Sequence, residues 1–308
     1  MEDKYQNQFY MELKKIEELN ITLNEPLRNH TTFRIGGPAD YFVCAFDALM
    51  IEKVILLAKQ FKVPYFVLGN GSDLLFSDEG FRGIVIKIIE SKDDVKFVEK
   101  DHKVYVTGSA GILLSKFAML IAENSLTGFE FAAGIPGSLG GAIYMNAGAY
   151  DGEIKDCIVC ATVLTEDGEV KTLSKEELQL SYRSSIIQKE KYIVIDATFA
   201  LEYGNKEDII NKINDLNQRR KDKQPLEYPS AGSTFKRPTG YFAGKLIMDA
   251  GLRGYRVGDA MVSEKHCGFV INVGNATAAD VKQLIQEVIQ IVEDKFGVTL
   301  EPEVRIIN

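Results

Sequence analysis

Residues 131–150 form the longest uncharged run of the chain, 20 residues that include five glycines, Pro136 and Asn146. About 20 apolar residues are enough to cross a bilayer as a helix. This run is broken by glycine and proline, which break or weaken helices, so it reads as buried loop and turn. It lies within a glycine-rich stretch, 128–152, that any fold for this chain has to accommodate.

The rest of the chain is ordinary globular protein. It has 308 residues, 45% hydrophobic and 26% charged, with 36 Lys+Arg against 44 Asp+Glu. At about 100–200 residues per domain this is two domains, or three. A formal charge of -8 argues against general nucleic-acid binding but allows a phosphate-rich small ligand held by a local basic cluster. The first 20 residues are charged and lack an apolar signal region, so no signal peptide, no membrane span and a cytoplasmic location are expected. Four cysteines in this length are not a disulfide framework and suit a reducing compartment. The sequons at Asn20, Asn29 and Asn275 are read as chance matches.

Periodicity predicts a helix over 3–19 with Phe9, Leu13 and Ile16 on one face, a strand over 41–46, and a helix capped by Asp47 and running to 61. A strand over 63–68 then exits into Gly69-Asn-Gly-Ser. Strands are predicted at 84–89, 95–98 and 104–107, a helix at 112–123, and strands at 158–164 and 192–201. Ser174 and Glu177 form a capping box that opens a short helix. The pattern changes near 203–206, where the main domain boundary is placed. Beyond it come a helix over 206–221, a loop-rich stretch over 224–259, and a strand over 268–273. A long helix opened by Thr277 and Asp280 and stopped by Gly297 follows, with a last strand at 304–307.

The glycine motifs exclude two nucleotide folds. Gly69-Asn-Gly-Ser-Asp-Leu lacks the third glycine of a dinucleotide fingerprint, and a strand follows it. Gly240-Tyr-Phe-Ala-Gly-Lys is one residue short of a P-loop and lacks the Ser/Thr. Gly69–Ser72 and Gly134-Ile-Pro-Gly-Ser-Leu-Gly-Gly141 remain. Each follows a strand-like run and can present backbone amides to a pyrophosphate. One such loop alone is better read as a turn; two in one domain favour a nucleotide cofactor. Arg34, Arg183, Lys223, Lys236, Arg237 and Arg305 lie beside Gly, Ser or Pro or at element edges, where they suit phosphate or carboxylate.

Other motifs are weaker. Cys157 and Cys160 form a lone CxxC in an apolar pattern, read as core cysteines. His30, His102 and His266 have no metal-ligand spacing, and no metal site is expected. Ser233, behind Ala-Gly and ahead of Lys236 and Arg237, is either a plain turn residue or a hydroxyl in an electropositive setting able to release a proton.

Six stretches in order carry a resemblance: Asn29–Asp40, Gly69–Leu75, Ala133–Ala142, Ser181–Ser184, Ala231–Lys236 and Pro302–Arg305. Together they resemble the UDP-N-acetylenolpyruvoylglucosamine reductase family, from about residue 20 to the C-terminus. The resemblance implies an α+β fold: an FAD-binding fold of the vanillyl-alcohol-oxidase (PCMH) type with two subdomains, 1–78 and 79–204, and a C-terminal substrate domain, 205–308. It implies non-covalent FAD, NADPH as hydride donor, and a monomer that reduces UDP-N-acetylglucosamine enolpyruvate to UDP-N-acetylmuramate for peptidoglycan precursors. One pocket would serve both half-reactions.

By position, the resemblance implies FAD contacts at Arg34, at Gly69, Asn70, Gly71 and Ser72, and at Gly134, Ile135, Pro136, Gly137, Ser138, Gly140, Gly141 and Ala142. Arg183 matches the catalytic arginine, Ser233 the proton donor and Glu303 the catalytic carboxylate. Asn146, Lys223, Lys236, Arg237 and Arg305 match substrate-binding positions. Hydride addition at C3 of the enolpyruvyl group leaves negative charge at C2, an enolate that a cation such as Arg183 stabilises, with Glu303 orienting Arg183 or, when protonated, hydrogen-bonding the enolate. Ser233 then protonates C2.

Two residues depart from the pattern. Asp73 stands where the family usually has Asn and is expected to cap its loop; Asp259 stands where a small residue is expected. The short interval from Arg183 to Ser233 places the chain in the branch without an extra substrate loop. Two alternatives remain open. Another flavin oxidoreductase of this fold has no reason to combine Ser233 with Arg183 and Glu303. A nucleotide-sugar binding module would carry no flavin.

Overall fold

The computed structural model describes residues 2–91, 94–150 and 152–308. Two compact units emerge, each assembled from separated stretches of chain: Met1–Thr22, Tyr41–Asn70 and Gly83–Arg219 in the first, Leu23–Asp40, Gly71–Arg82 and Arg220–Asn308 in the second.

The first unit contains two hydrophobic cores. In one, Asp47 Oδ1 accepts the Met50 amide at 2.7 Å and so starts the helix Ala48–Gln60. That satisfies one of the amides a helix N-terminus leaves over. The helix buries Met50, Ile51, Val54, Ile55 and Ala58 in a core that also holds Tyr41, Val43, Ile84 and Ile86 from two strands. The strand Tyr65–Leu68 runs parallel to Phe81–Ile88, with Tyr65 opposite Ile84. The N-terminal helix spans Glu2–Leu13 and adds Phe9 and Leu13, both without exposure. It stops well before the expected residue 19. The chain turns there through 3₁₀-type bonds at Lys15 and Ile16, and Glu18 takes a φ of 60°. Ile16 still packs on this core.

The other core lies on an antiparallel sheet. Its strands run in the order Val170–Ser174, Ile158–Leu164, Ile193–Tyr203, Lys103–Ser109 and Val95–Lys100. The register is pinned on a cross-strand pair, Thr107 with Thr198, whose hydroxyls lie 2.8 Å apart. The helix Leu114–Glu123 covers the sheet with Phe117, Ala118 and Ile121. Phe117 meets Phe129 edge-on at 5.3 Å, and Phe129 meets Phe199 at 5.0 Å. Each such buried ring contributes about 1.5–3 kcal/mol. The expected capping box does form: Ser174 N donates to Glu177 Oε2 at 2.8 Å, and Glu177 N to Ser174 Oγ at 3.3 Å. Only turns follow it, because Ser174 already ends a strand.

The second unit is organised by the helix Ala278–Phe296. Thr277 and Asp280 form its capping box, and Gly297 ends it in the left-handed region at φ 64°. Asp78, distant in sequence, adds a second cap, accepting the Ala278 amide at 2.7 Å and the Ala279 amide at 3.0 Å. A helix at Ala243–Asp249 occupies part of the stretch expected to be loop, and packs Leu246 and Ile247 into the same core. A small sheet joins Arg256–Val257, Ala260–Val262 and Val270–Asn272. The C-terminal strand Arg305–Ile307 pairs in parallel with Leu74–Phe76. Among the described residues, no helix is long and apolar enough to cross a membrane.

Candidate active site

The two glycine loops meet in the first unit. A Cβ on Gly69 would lie 2.3 Å from Ser138 Oγ, and the Asn70 side-chain amide donates to the Pro136 carbonyl. Sequence separation hides this contact. The loop amides divide into two groups. Leu139 N donates to Ile112 O and Gly140 N to Ala110 O, both at 2.9 Å, while Gly141 N reaches Ser138 Oγ at 3.3 Å. By contrast, the amides of Gly69, Asn70, Gly137 and Ser138 find no acceptor among the described residues. These unsatisfied donors suit an anion, and Gly69 keeps the approach clear.

The glycines therefore have different duties. At Gly140 a Cβ would lie 2.8 Å from the Ala110 Cβ, so that glycine serves helix packing. The second loop also departs from expectation in following a 3₁₀ turn, Glu130–Ala132, rather than a strand. The cause is Glu130, whose carboxylate accepts from Thr127 Oγ1 at 2.6 Å and from the Gly128 amide at 3.1 Å, drawing the chain into a turn. Burial alone would push the Glu130 carboxyl up. The Thr127 and backbone hydrogen bonds, with Lys212 at 3.3 Å, hold it below the usual carboxylate value.

Arg183 sits in a tight turn of the same unit. Ser181 and Ser184 exchange backbone hydrogen bonds at 3.0 and 3.1 Å, and Arg183 takes a left-handed φ of 52°. That conformation costs energy for a non-glycine residue and persists only where neighbours enforce it. Its guanidinium lies 5.2 Å from the centroid of the exposed Tyr182 ring. Asn146, expected at the substrate, is 0% exposed, and its side chain is hydrogen-bonded within the protein. Nδ2 donates to Glu153 Oε2 at 2.6 Å and Ser181 O at 3.0 Å, while Oδ1 accepts the Lys155 amide at 2.9 Å.

In the second unit Ser233 and Glu303 lie on adjoining segments. Phe235 bridges Pro302 in antiparallel fashion, Glu303 N donates to Thr234 O, and Lys236 N donates to Glu301 O, each at 2.8 Å. Thr234, missed in the sequence, anchors the serine segment. It is 2% exposed, gives its amide to Gly268 O at 2.8 Å, and accepts the Val270 amide on Oγ1 at 2.9 Å. Lys236 is ion-paired with Glu301. Arg237 is exposed, its guanidinium 4.0 Å from the centroid of the Phe242 ring. Arg305 starts the C-terminal strand and gives its amide to Asp73 O at 3.0 Å. Lys223 ends the helix Lys206–Lys223 and is exposed.

Arg34 and Gly71 meet in this unit as well. Thr32 N donates to Gly71 O at 3.1 Å, and Arg34, exposed with φ 56°, closes the turn from Thr31 at 3.2 Å. At Gly71, φ is 63° and a Cβ would lie 2.1 Å from His30 O, so glycine is required. Asp259 earns its place as a loop brace: its carboxylate accepts from the Asn275 amide at 2.8 Å and from Arg256 at 3.0 Å.

None of the four cysteines is in a disulfide, and burial pushes the Cys157 thiol up to about 12. Burial also lowers His266, whose Nδ1 accepts the Gly268 amide at 3.1 Å. Among the described residues, no group of His, Cys, Asp and Glu could hold a metal ion.

Comparison with known proteins places both parts of the chain. Residues 39–174 match the model of an FAD binding domain, and residues 224–307 match the model of the C-terminal domain of UDP-N-acetylenolpyruvoylglucosamine reductase. A UDP-N-acetylenolpyruvoylglucosamine reductase from Lachnoclostridium phytofermentans is 64% identical over 303 residues, 98% of each chain. One from Agathobacter rectalis is 54% identical over 96% of each. The crystal structure of the reductase from Thermus caldophilus superposes with a TM-score of 0.77 at 35% identity, covering 94% of this chain and 99% of that one.

Proposed function

The chain belongs to the UDP-N-acetylenolpyruvoylglucosamine reductase family, and from that premise we propose how its residues carry the reaction. It is an FAD-dependent oxidoreductase of the PCMH-type fold that reduces UDP-N-acetylglucosamine enolpyruvate to UDP-N-acetylmuramate, a step of peptidoglycan synthesis. The observation that carries this function is the 64% identity that runs over 98% of both chains, so no domain is left without a counterpart.

FAD, when bound, supplies the hydride, which NADPH provides in turn. The residues of the glycine loops suit the cofactor. Unsatisfied amides at Gly69, Asn70, Gly137 and Ser138 can receive a pyrophosphate without a side chain in the way. Arg34 adds positive charge to the turn beside Gly71.

Toward the substrate, Arg183 stabilises the negative charge that forms at C2 and the carboxylate. A well-placed donor of this kind contributes about 10²–10³ in rate. Ser233 delivers the proton to C2. Glu303, whose own amide is tied to the residue after Ser233, is the carboxylate that stabilises the enolate together with Arg183. Lys236, ion-paired with Glu301, or Arg237 supplies the positive charge that eases proton loss from Ser233. Lys223, Arg237 and Arg305 recognise the phosphates or the carboxylate of the sugar nucleotide.

The test is product formation by the purified, FAD-loaded protein with NADPH and the enolpyruvyl sugar nucleotide. Mass spectrometry should show the substrate gaining one hydrogen molecule as NADPH is consumed one for one. NADPH oxidation without that product would overturn the reading.

A further inference from the structure

Gln188 reaches two carbonyls at once. Its Nε2 donates to Tyr144 O at 2.7 Å and to Arg183 O at 3.2 Å, with Met145 Sδ at 3.6 Å. Tyr144 is the last residue of the helix Leu139–Tyr144. Its carbonyl is one of those a helix C-terminus leaves without an intrahelical partner. Ser185, 0% exposed, gives the same carbonyl a second hydrogen bond from Oγ at 2.7 Å. The opposite end of this helix is Ser138, the residue against which Gly69 packs.

One rigid six-residue helix, about 9 Å long at 1.5 Å per residue, thus has the glycine loops at its start and the Arg183 turn at its end. Asn146, just beyond the helix, holds the Ser181 carbonyl on the other side of the turn. The left-handed backbone at Arg183 needs such enforcement, since no glycine relieves it.

We propose that Gln188 is a positioning residue for Arg183, fixing the arginine turn to the helix that starts at the glycine loops. The proposal rests on Arg183 being the catalytic cation. A primary amide is suited to the task because it offers two N–H donors from one rigid group and can bridge two acceptors. Loss of those donors leaves the fold but frees the turn to relax away from φ 52°.

The experiment compares Gln188→Met, which keeps bulk and removes both donors, with Gln188→Asn, which keeps the amide but shortens its reach. Rapid-mixing kinetics follow the two half-reactions separately, and hydrogen exchange follows the peptide covering 181–188. Both variants should bind FAD, be reduced by NADPH at the wild-type rate, exchange faster across 181–185, and reoxidise with the enolpyruvyl substrate about 10- to 100-fold more slowly, the scale for a misplacement near 1 Å. The loss should lie in the rate at saturating substrate rather than in KM. In an Arg183→Ala background, Gln188→Met should cause no further loss, because a positioning residue has nothing left to position. A merely structural role would add its loss to that of Arg183→Ala. Additive losses, or wild-type reoxidation in a folded Gln188 variant, would overturn the proposal. Should Gln188→Met not fold, Gln188→Asn carries the same comparison. Wild-type reoxidation in Arg183→Ala itself would instead remove the premise about Arg183.

Discussion

A methyl group on Gly69 would lie 2.3 Å from Ser138 Oγ, so the two glycine loops of this reductase are fitted to each other before any cofactor is considered. Gly69→Ala should therefore disturb the cradle proposed for FAD. Overpacking of this kind costs about 1–3 kcal/mol. We expect a lower melting temperature of the apoprotein and at least tenfold weaker FAD binding, read by fluorescence titration. Adding Ser138→Ala removes the offending oxygen and leaves the Cβ contact at 3.4 Å, an ordinary distance. The double variant should regain FAD affinity, less the loss of the helix cap, about 0.5–2 kcal/mol. No recovery would mean the contact is not what limits binding.

Ser233→Ala separates the half-reactions. FAD should stay bound and NADPH should reduce it normally, since the role proposed for the serine is the protonation of C2 alone. Reoxidation by the enolpyruvyl substrate should slow by about 10²–10⁴, the usual range for general-acid help. Stopped-flow absorbance measures both steps on one sample. Normal turnover would sink the proton-donor assignment.

Glu130 links stability to pH. Its carboxyl is held below the ordinary value in the folded chain. Its contribution is therefore complete above the pKa of the unfolded chain and is lost as pH falls through the lower, folded value. Glu130→Gln should destabilise the first unit by about 1–3 kcal/mol at neutral pH, since the donors of Thr127 and Gly128 lose a charged acceptor. The gap to wild type should narrow in acid. Lys212→Met should cost under about 1 kcal/mol, because that ammonium is largely exposed. Denaturant melts across pH measure all three.

Cys157 should be inert in the native protein. With its thiol pushed up to about 12, almost no thiolate exists at neutral pH. Iodoacetamide labelling followed by mass spectrometry should modify Cys157 only after denaturation. Ready labelling of the folded chain would contradict the raised thiol pKa.

Much of the fold was legible because the signals are local. Asp47 before an amphipathic run, and Thr277 with Asp280 before another that Gly297 ends, specify helices through bonds made within a few residues. What stayed hidden depends on distant partners. The strand Leu74–Phe76 exists because Arg305–Ile307 pairs with it from the far end of the chain. The strand Asn20–Pro26 is largely exposed and ends in proline, and its alternation of Ile21 and Leu23 with polar residues stops after two apolar positions. The helix Leu139–Tyr144 is masked by Gly140 and Gly141, residues it needs for packing rather than for helicity.

The site divides along the same line. Residue types and spacing pointed to the glycine loops and to a set of basic residues that includes Arg183, and left Ser233 open; the family resemblance singled out Arg183, Ser233 and Glu303. Neither gave a hint that Asn146 is sealed inside, that Lys236 is paired with Glu301, or that Thr234 anchors the serine segment. Those roles are set by partners that no local pattern announces. Asn146→Ala accordingly should lower the melting temperature, leaving buried partners unsatisfied at about 1–3 kcal/mol, rather than raise KM alone.

The most direct test of the central claim is an anaerobic absorbance titration of the FAD-loaded protein. NADPH should bleach the visible flavin bands, and the enolpyruvyl sugar nucleotide should then restore them with oxygen absent. Bands that bleach but return only when oxygen is admitted would contradict the account, as would a protein that takes up no FAD.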